Sequence, residues 1–149
     1  MASTVTASTA TITISENLSL NGVTYGNAIS KAFTTQGQVI QRIMSIATTE
    51  AEILITSTVD GRGQVVAADW CYFRITNLDD TNFVTLRLTN TATDSQFFKL
   101  EAGESFFLMS PDIDIDDAGS TFVAFADIDE IAVEAAVAAC DVEFLMITK

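Results

Sequence analysis

The alternation of apolar and polar residues along this chain predicts β-strands over most of its length. Ile12 and Ile14 alternate with threonines near the N-terminus, and Val84, Leu86 and Leu88 alternate with polar residues further along. Alternation with a period of two is typical of a strand that buries one face. Turn signals recur roughly every 8–12 residues, the pattern of a β-sandwich or barrel. The sequence therefore predicts an all-β fold.

The strand pattern places each element as follows. Strands are predicted at 9–15, 18–20, 23–28, 38–47, 52–57, 64–68, 70–76, 82–90, 95–100, 104–109, 121–126, 131–135 and 140–147. Asn21-Gly22 is a strong hairpin turn signal because both residues tolerate positive φ. A second hairpin is predicted around residues 101–103. Loops are predicted at 33–37, 60–63 and 127–130, and one helical turn in the Ala-rich stretch 135–139. A short helix is the alternative at 38–47.

The chain length indicates one domain that is large enough to bury a core. Residues 1–9 consist mostly of Ser, Thr, Ala and Val and carry no charge. We predict that they form a flexible terminus or an extended N-terminal arm that pairs with a neighbouring subunit, and that residues 10–149 form the β-sandwich domain. Leu86 and Phe107 are predicted core residues, so that replacing either by Ala should cost about 2–5 kcal/mol.

Acidic residues dominate the charge of the chain. The formal net charge is −13, and residues 100–148 contain no Lys or Arg. This balance argues against nucleic acid and against anionic membrane surfaces as partners, because both attract positive charge. No apolar run is long enough to span a membrane, and residues 1–10 do not resemble a secretory signal. The arginines at 42, 74 and 87 lie in apolar strands, where each is expected to pair with an acidic residue.

The residue types of this chain argue against the common catalytic sites. The chain has no histidine, which excludes Ser-His-Asp and Cys-His catalysis within one chain. We therefore predict that the protein is not an enzyme. Cys71 and Cys140 are expected to be buried thiols, with a single disulfide as the alternative if their strands are neighbours.

Alternating carboxylates after Pro111 form a candidate cation site, made by Asp112, Asp114, Asp116 and Asp117. Calcium prefers clustered hard oxygens of this kind. The spacing fails as an EF-hand loop, because Asp117 stands where Gly is needed and Val123 where Glu is needed. The alternative is a solvated strand edge whose charges discourage edge-to-edge pairing. No other cofactor is predicted.

Two further groups have alternative interpretations. Asp127, Asp129 and Glu130 could add carboxylates to a site, or form a charged loop. Aromatic residues at 70, 72 and 73 could form a sugar-stacking platform, although aromatic residues on a strand are more often core residues.

Three sequence segments carry a resemblance. They are FRITNLDDTNFVTLRL (73–88), FFKLEAGESFFLMSPD (97–112) and CDVEFLMIT (140–148). Over Trp70 to Thr148 the chain resembles small virion proteins of tailed bacteriophages, especially marine ones. The resemblance implies a jelly-roll-like antiparallel β-sandwich and a structural role in the virion.

The expected function is that of a capsid decoration, or cement, protein. It would bind the major capsid protein on the outside of a phage head, stabilise the shell and self-associate, with a homotrimer as the natural form. Its location would be the virion, assembled in the host cytoplasm. The alternatives are a tail or fibre component and a calcium- or sugar-binding β-sandwich module.

Overall fold

The computed structural model describes residues 6–35, 37–57, 64–113 and 126–149. Within these ranges the regular structure consists of strands and one short 3-10 turn at Ala67–Asp69, so the predicted all-β class is confirmed. The strands are β1 (Ser8–Ser15), β2 (Leu18–Leu20), β3 (Val23–Tyr25), β4 (Ala28–Thr35), β5 (Val39–Ile46), β6 (Ala51–Ser57), β7 (Gln64–Val66), β8 (Trp70–Asn77), β9 (Val84–Asn90), β10 (Ser95–Leu100), β11 (Ser105–Leu108), β12 (Asp112–Ile113), β13 (Ala126–Ala135) and β14 (Cys140–Thr148).

The chain divides into two compact units between residues 36 and 37. The sequence placed a boundary at residues 9 and 10 instead, but β1 begins at Ser8 and pairs with β4 over its whole length. The predicted loop at 33–37 is wrong in its first part. Phe33–Thr35 continue the ladder of β4, because β1 supplies their hydrogen-bond partners.

The first unit is an antiparallel ribbon, called here the N-terminal ribbon (Ser8–Thr35). Ser15 opposes Ala28 and Leu18 opposes Tyr25, so β1–β4 and β2–β3 follow one continuous register. The predicted turn is confirmed, with φ of 51° at Asn21 and 78° at Gly22. Between the two ladders, the Glu16 amide donates to the Asn27 carbonyl at 2.9 Å.

The second unit, Gly37–Thr148, is a β-sandwich. One sheet has the order β10-β9-β13-β6-β7, with β12 pairing β13, and the other has the order β11-β8-β14-β5. The pairs are antiparallel except for β6 and β7. Apolar residues from both sheets form one core cluster, among them Ile53, Leu86, Ile131 and Val133 from the first sheet and Phe73, Phe144 and Met146 from the second. The predicted β-sandwich is confirmed.

Strand pairing in the sandwich follows a reversed order. The four strands β5, β6, β8 and β9 pair with β14, β13, β11 and β10 respectively. The chain thus doubles back between β9 and β10. Two further pairings, β8–β14 and β9–β13, join these strand pairs into the two sheets.

The predicted hairpin around residues 101–103 is wrong, since β10 pairs with β9 while β11 pairs with β8 in the other sheet. The chain crosses between sheets here because both strands contribute to the core. Phe98 of β10 and Phe106 of β11 meet across the sandwich with ring centroids 4.5 Å apart.

Two other local predictions are also wrong. Residues 127–130 lie within β13 rather than in a loop, because β9 and β12 pair with them. The stretch 136–139 bends without a helical turn. The predicted strand at 38–47 is confirmed as β5, so the helix alternative there fails. The predicted turn at 60–63 and most of the predicted strand at 121–126 lie outside the described residues.

Asn77 ties the corner at which the chain changes sheets. Its side chain is fully buried, and its Nδ2 lies 2.8 Å from the Asn82 carbonyl and 3.1 Å from the Leu100 carbonyl. Its Oδ1 accepts the Asp79 amide at 3.0 Å, and its main-chain N–H donates to the Glu104 carbonyl at 2.9 Å. Asn77 therefore links the end of β8 to the end of β10.

Replacing Leu86 by Ala should lower the free energy of unfolding by about 2–5 kcal/mol, because the residue is fully buried between the sheets. The sequence predicts an equal loss of unfolding free energy for Phe107→Ala, but Phe107 is 44% exposed on an outer face. We now expect Phe107→Ala to cost less than about 1 kcal/mol. Urea unfolding of both variants measures the difference, and equal costs would contradict the assignment of faces.

Replacing Asn77 by Ala should cost about 1–3 kcal/mol, because the Leu100 and Asn82 carbonyls lose a donor in a buried place. The matched control is Asn82→Ala in the same loop, which keeps the main-chain carbonyl that Asn77 uses and should cost less than about 0.5 kcal/mol. Chemical denaturation of both variants provides the comparison. A loss no greater for Asn77→Ala than for the control would show that this corner does not depend on the Asn77 side chain.

Candidate functional site

The outer face of the β11-β8-β14-β5 sheet has a polar centre. Arg74 Nη2 donates to Glu143 Oε2 at 2.8 Å, and Gln41 Nε2 donates to Glu143 Oε1 at 2.7 Å. Arg74 also donates to Thr76, whose hydroxyl lies 2.8 Å from that of Ser105. The Arg74 hydrogen bond, followed by that of Gln41, lowers the pKa of the Glu143 carboxyl. This centre is therefore a fixed, charged network across four strands.

Apolar side chains flank that network on the same face. Val39 and Ile43 of the edge strand β5 are exposed, and so is Phe107, which stands opposite Arg74 in the ladder. Aromatic residues and arginine are enriched in protein–protein interfaces. The composition of this face therefore suits contact with another protein surface better than the binding of a small molecule.

The other sheet carries a similar network on its outer face. Arg87 donates to Glu50 with its Nε and Nη2 at 2.9 and 2.8 Å and also pairs with Glu130. The Arg87 hydrogen bond lowers the pKa of the Glu50 carboxyl. The predicted pairing of Arg74 and Arg87 with acidic residues is thus confirmed, within one chain. In the described part of the chain, Arg42 forms no ion pair.

Two carboxylates face each other at the end of β12. Asp112 stands directly opposite Asp127 in the β12–β13 ladder. Burial raises the pKa of the Asp127 carboxyl, and the hydrogen bond and like charge of Asp112 raise it further. Like charges directly opposite each other destabilise a ladder, so the facing Asp112 favours the protonated form of the Asp127 carboxyl.

The predicted cation site is not tested, because Asp114, Asp116 and Asp117 lie outside the described residues. Asp112 is exposed in β12. The described ranges contain no group of three or more carboxylate or thiol side chains positioned to hold a metal ion. The calcium site stays a prediction.

The carboxylates at 127–130 do not converge. Glu130 pairs with Arg87 on an outer face, and Asp129 lies 3.5 Å from the hydroxyl of Thr56. Only Asp127 lies beside Asp112. Of the three, Asp127 is the one that could join a site with Asp112.

An acidic cleft, which the sequence analysis did not single out, opens between the β8–β9 loop and the start of β14. It has a volume of about 470 Å³, and its lining consists of Ser45, Leu78, Asp79, Asp80, Ala139 and Asp141. Asp79 accepts the main-chain N–H groups of Asn82 and Thr81, which lowers the pKa of its carboxyl. Its role in the cleft is therefore to hold the turn.

The thiol of Cys140 lies beside the same turn. Burial raises its pKa, and the negative charge of Asp79 raises it further. A thiol with a raised pKa is a poor nucleophile at neutral pH. Cys71 and Cys140 are both buried thiols, as expected.

The aromatic residues of β8 do not form a sugar-stacking platform. Trp70, Tyr72 and Phe73 are all buried, and the Trp70 and Phe73 rings meet edge to face at 5.8 Å. The indole Nε1 of Trp70 has no hydrogen-bond partner in the part of the chain that the structure describes. These aromatic residues pack in the core.

Comparison of the sequence with protein-family models finds no match, and comparison with curated proteins finds none either. None of the described segments forms a helix with the length and apolar character needed to cross a membrane.

Replacing Asp127 by Asn should stabilise the fold at neutral pH by about 0.2–1 kcal/mol, because it removes a carboxylate that faces Asp112. A carboxyl whose folded pKa is raised stabilises the fold while protonated, and this contribution is lost as the pH rises through the folded pKa. The advantage of the variant should therefore shrink as the pH falls through the raised folded pKa of Asp127, and it should be gone below the ordinary Asp value of about 4. Thermal melts across this pH range measure it.

Glu134→Gln is the matched control for that experiment. Glu134 lies exposed on the same strand but opposes Thr85 rather than a carboxylate, so its loss should change little at any pH. A gain for Asp127→Asn that does not depend on pH would contradict the raised pKa of the Asp127 carboxyl. The same melts with calcium and with a chelator test the predicted cation site, and an unchanged midpoint would count against it.

Proposed function

We propose that this protein is a structural protein of a virus particle, specifically a decoration protein on the outside of a tailed-phage head. In this role it binds the major capsid protein and stabilises the shell, self-associates as a homotrimer, and binds neither nucleic acid nor membrane. The resemblance over Trp70 to Thr148 is the starting point of the proposal. Two features of the described residues and the charge of the sequence support it.

The observation that carries the proposal is the reversed strand order of the sandwich. The pairing of β5, β6, β8 and β9 with β14, β13, β11 and β10 is what a two-stranded ribbon gives when it is rolled into two facing sheets. We propose that this order is a jelly roll, a fold found in viral capsid domains and also in lectins and cupins. Because one fold serves many functions, the choice among these depends on the surfaces.

The surfaces favour a protein partner over a small ligand. Both described sheets present Arg–Glu networks on their outer faces, at Arg74–Glu143 and Arg87–Glu130, and exposed aromatic residues stand beside them. The aromatic residues of β8 that the sequence offered as a sugar-stacking platform are buried. Outer faces of this composition suit many weak contacts, repeated by the symmetry of a shell.

The net charge of the sandwich indicates the charge of its partner. Residues 37–148 carry nineteen acidic and five basic side chains, a net charge of −14. Such a surface attracts basic partners and is repelled by acidic ones. We therefore propose that the acidic faces meet basic loops of the major capsid protein or point to solvent.

The test is the copy number of this protein in purified phage particles, measured by quantitative mass spectrometry against the major capsid protein. A decoration protein should approach the copy number of the shell subunits. Mild dissociation of the particles should then release this protein while the shell remains assembled.

Two outcomes would overturn the proposal. A few copies per particle would assign the protein to the tail or a fibre, which is the second candidate function. Absence from the particle would reject a virion role altogether.

A further inference from the structure

The N-terminal ribbon has two chemically different faces. In both of its ladders the register brings Ala10 and the large apolar residues onto one face; these are Ile12, Ile14, Leu18, Leu20, Val23, Tyr25, Ile29 and Phe33. The opposite face consists of Thr, Ser and Ala, with Thr13 and Ser30 joined by their hydroxyls at 2.9 Å. The ribbon is therefore amphipathic along its length. We call the first set of residues the apolar ribbon face.

The apolar ribbon face is not buried by the chain itself. None of the described residues from 6 to 35 is buried, and Leu18, Leu20, Val23, Tyr25 and Ile29 are each more than half exposed. A two-stranded hairpin without a covered apolar face is marginally stable at best in water. A cluster of large apolar side chains at one face marks an interaction site.

The backbone of the ribbon is nevertheless specified closely. Gly26 has φ of 113°, and a Cβ there would lie 2.2 Å from the Glu16 carbonyl oxygen. Glycine at this joint lets the strands approach where the two ladders meet, so that the face continues on both sides of it. The ribbon is thus a defined element with an exposed apolar face.

The net charges of the two units indicate what covers the apolar ribbon face. Residues 1–36 carry one acidic residue, Glu16, and one basic residue, Lys31, a net charge of zero, against −14 for residues 37–148. Copies of the sandwich repel one another at neutral pH. A neutral apolar surface is the place where two copies can meet without that repulsion. Lys31 stands opposite Ile12 in the ladder, and its Nζ lies 6.0 Å from the centroid of the Phe33 ring.

We propose that the apolar ribbon face is the self-association surface of this protein and that its occupant is the same face of another copy of this chain. Apolar faces of neighbouring ribbons pack together, the Thr and Ser faces point to solvent, and the acidic sandwiches stay free for other contacts. This inference gives a surface to the self-association in the proposed function, but it does not depend on a location in the virion.

The test is the mass of the full-length protein in solution, by light scattering after size exclusion over a wide range of concentrations. The wild type should have a mass that is a multiple of 16.0 kDa. Added salt should strengthen the association, because it screens the repulsion between sandwiches.

The variant Leu18→Gln with Tyr25→Gln changes a facing pair on the apolar ribbon face. It should raise the dissociation constant by about 100-fold or more, as loss of central apolar anchors does at interfaces. The matched control is Ser19→Gln with Thr24→Gln, the neighbouring pair on the opposite face. Both variants put the same residues into the same strands, so a general effect on the ribbon would appear in both.

The melting temperature of the sandwich should stay the same in both variants. A wild type that is monomeric at every concentration would overturn the inference, and so would equal weakening by the two variants. Neither result bears on the copy number in the particle, so the inference and the proposed function can fail separately.

Discussion

Burial of one apolar face of each sheet against the other is the constraint on which the sandwich depends. Nearly every long strand of this unit contributes to the same cluster, from Ile46 in β5 to Met146 in β14. Because successive side chains of a strand point to opposite faces, the inward requirement also determines which residues point outward. Arg74 and Arg87 lie between core residues of their own strands and therefore reach the outer faces, where Glu143 and Glu130 stand beside them. The charged networks are thus a consequence of core formation.

The same constraint explains where polar groups can be buried. The chain changes sheets between β10 and β11, and main-chain carbonyls at this corner accept hydrogen bonds from a buried side chain. Asn77 supplies the donors for those carbonyls, and its own carbonyl and amide are also bonded. A buried polar residue that is fully hydrogen-bonded stabilises one arrangement over others. Several carboxylates of this acidic protein are likewise engaged in structure, such as Asp79 in its turn.

The separation of charge between the two units connects the two proposals. A sandwich with a net charge of −14 disfavours contact with its own kind, whereas the ribbon is neutral and apolar on one face. Self-association through the ribbon would join several copies of the acidic sandwich through a neutral surface. Such an assembly offers repeated identical faces to a partner, and repeated weak contacts add up to tight attachment. This is the physical logic of a protein that would decorate a symmetric shell.

The sequence by itself determined the strands whose alternation is regular and the turn whose residues need positive φ. Val84, Leu86 and Leu88 are buried as their spacing predicts, and Asn21-Gly22 forms the turn. Only the tertiary structure decided that β10 pairs with β9 and β11 with β8. It also decided the extension of β4 through Thr35 and the strand at 127–130. Those elements depend on partners far away in the chain. An acidic run such as Asp127–Glu130 is accepted into a strand because β9 and β12 satisfy its main chain and Arg87 neutralises Glu130. Local patterns report which side chains avoid water, but hydrogen-bond partners and opposite charges are supplied by the fold.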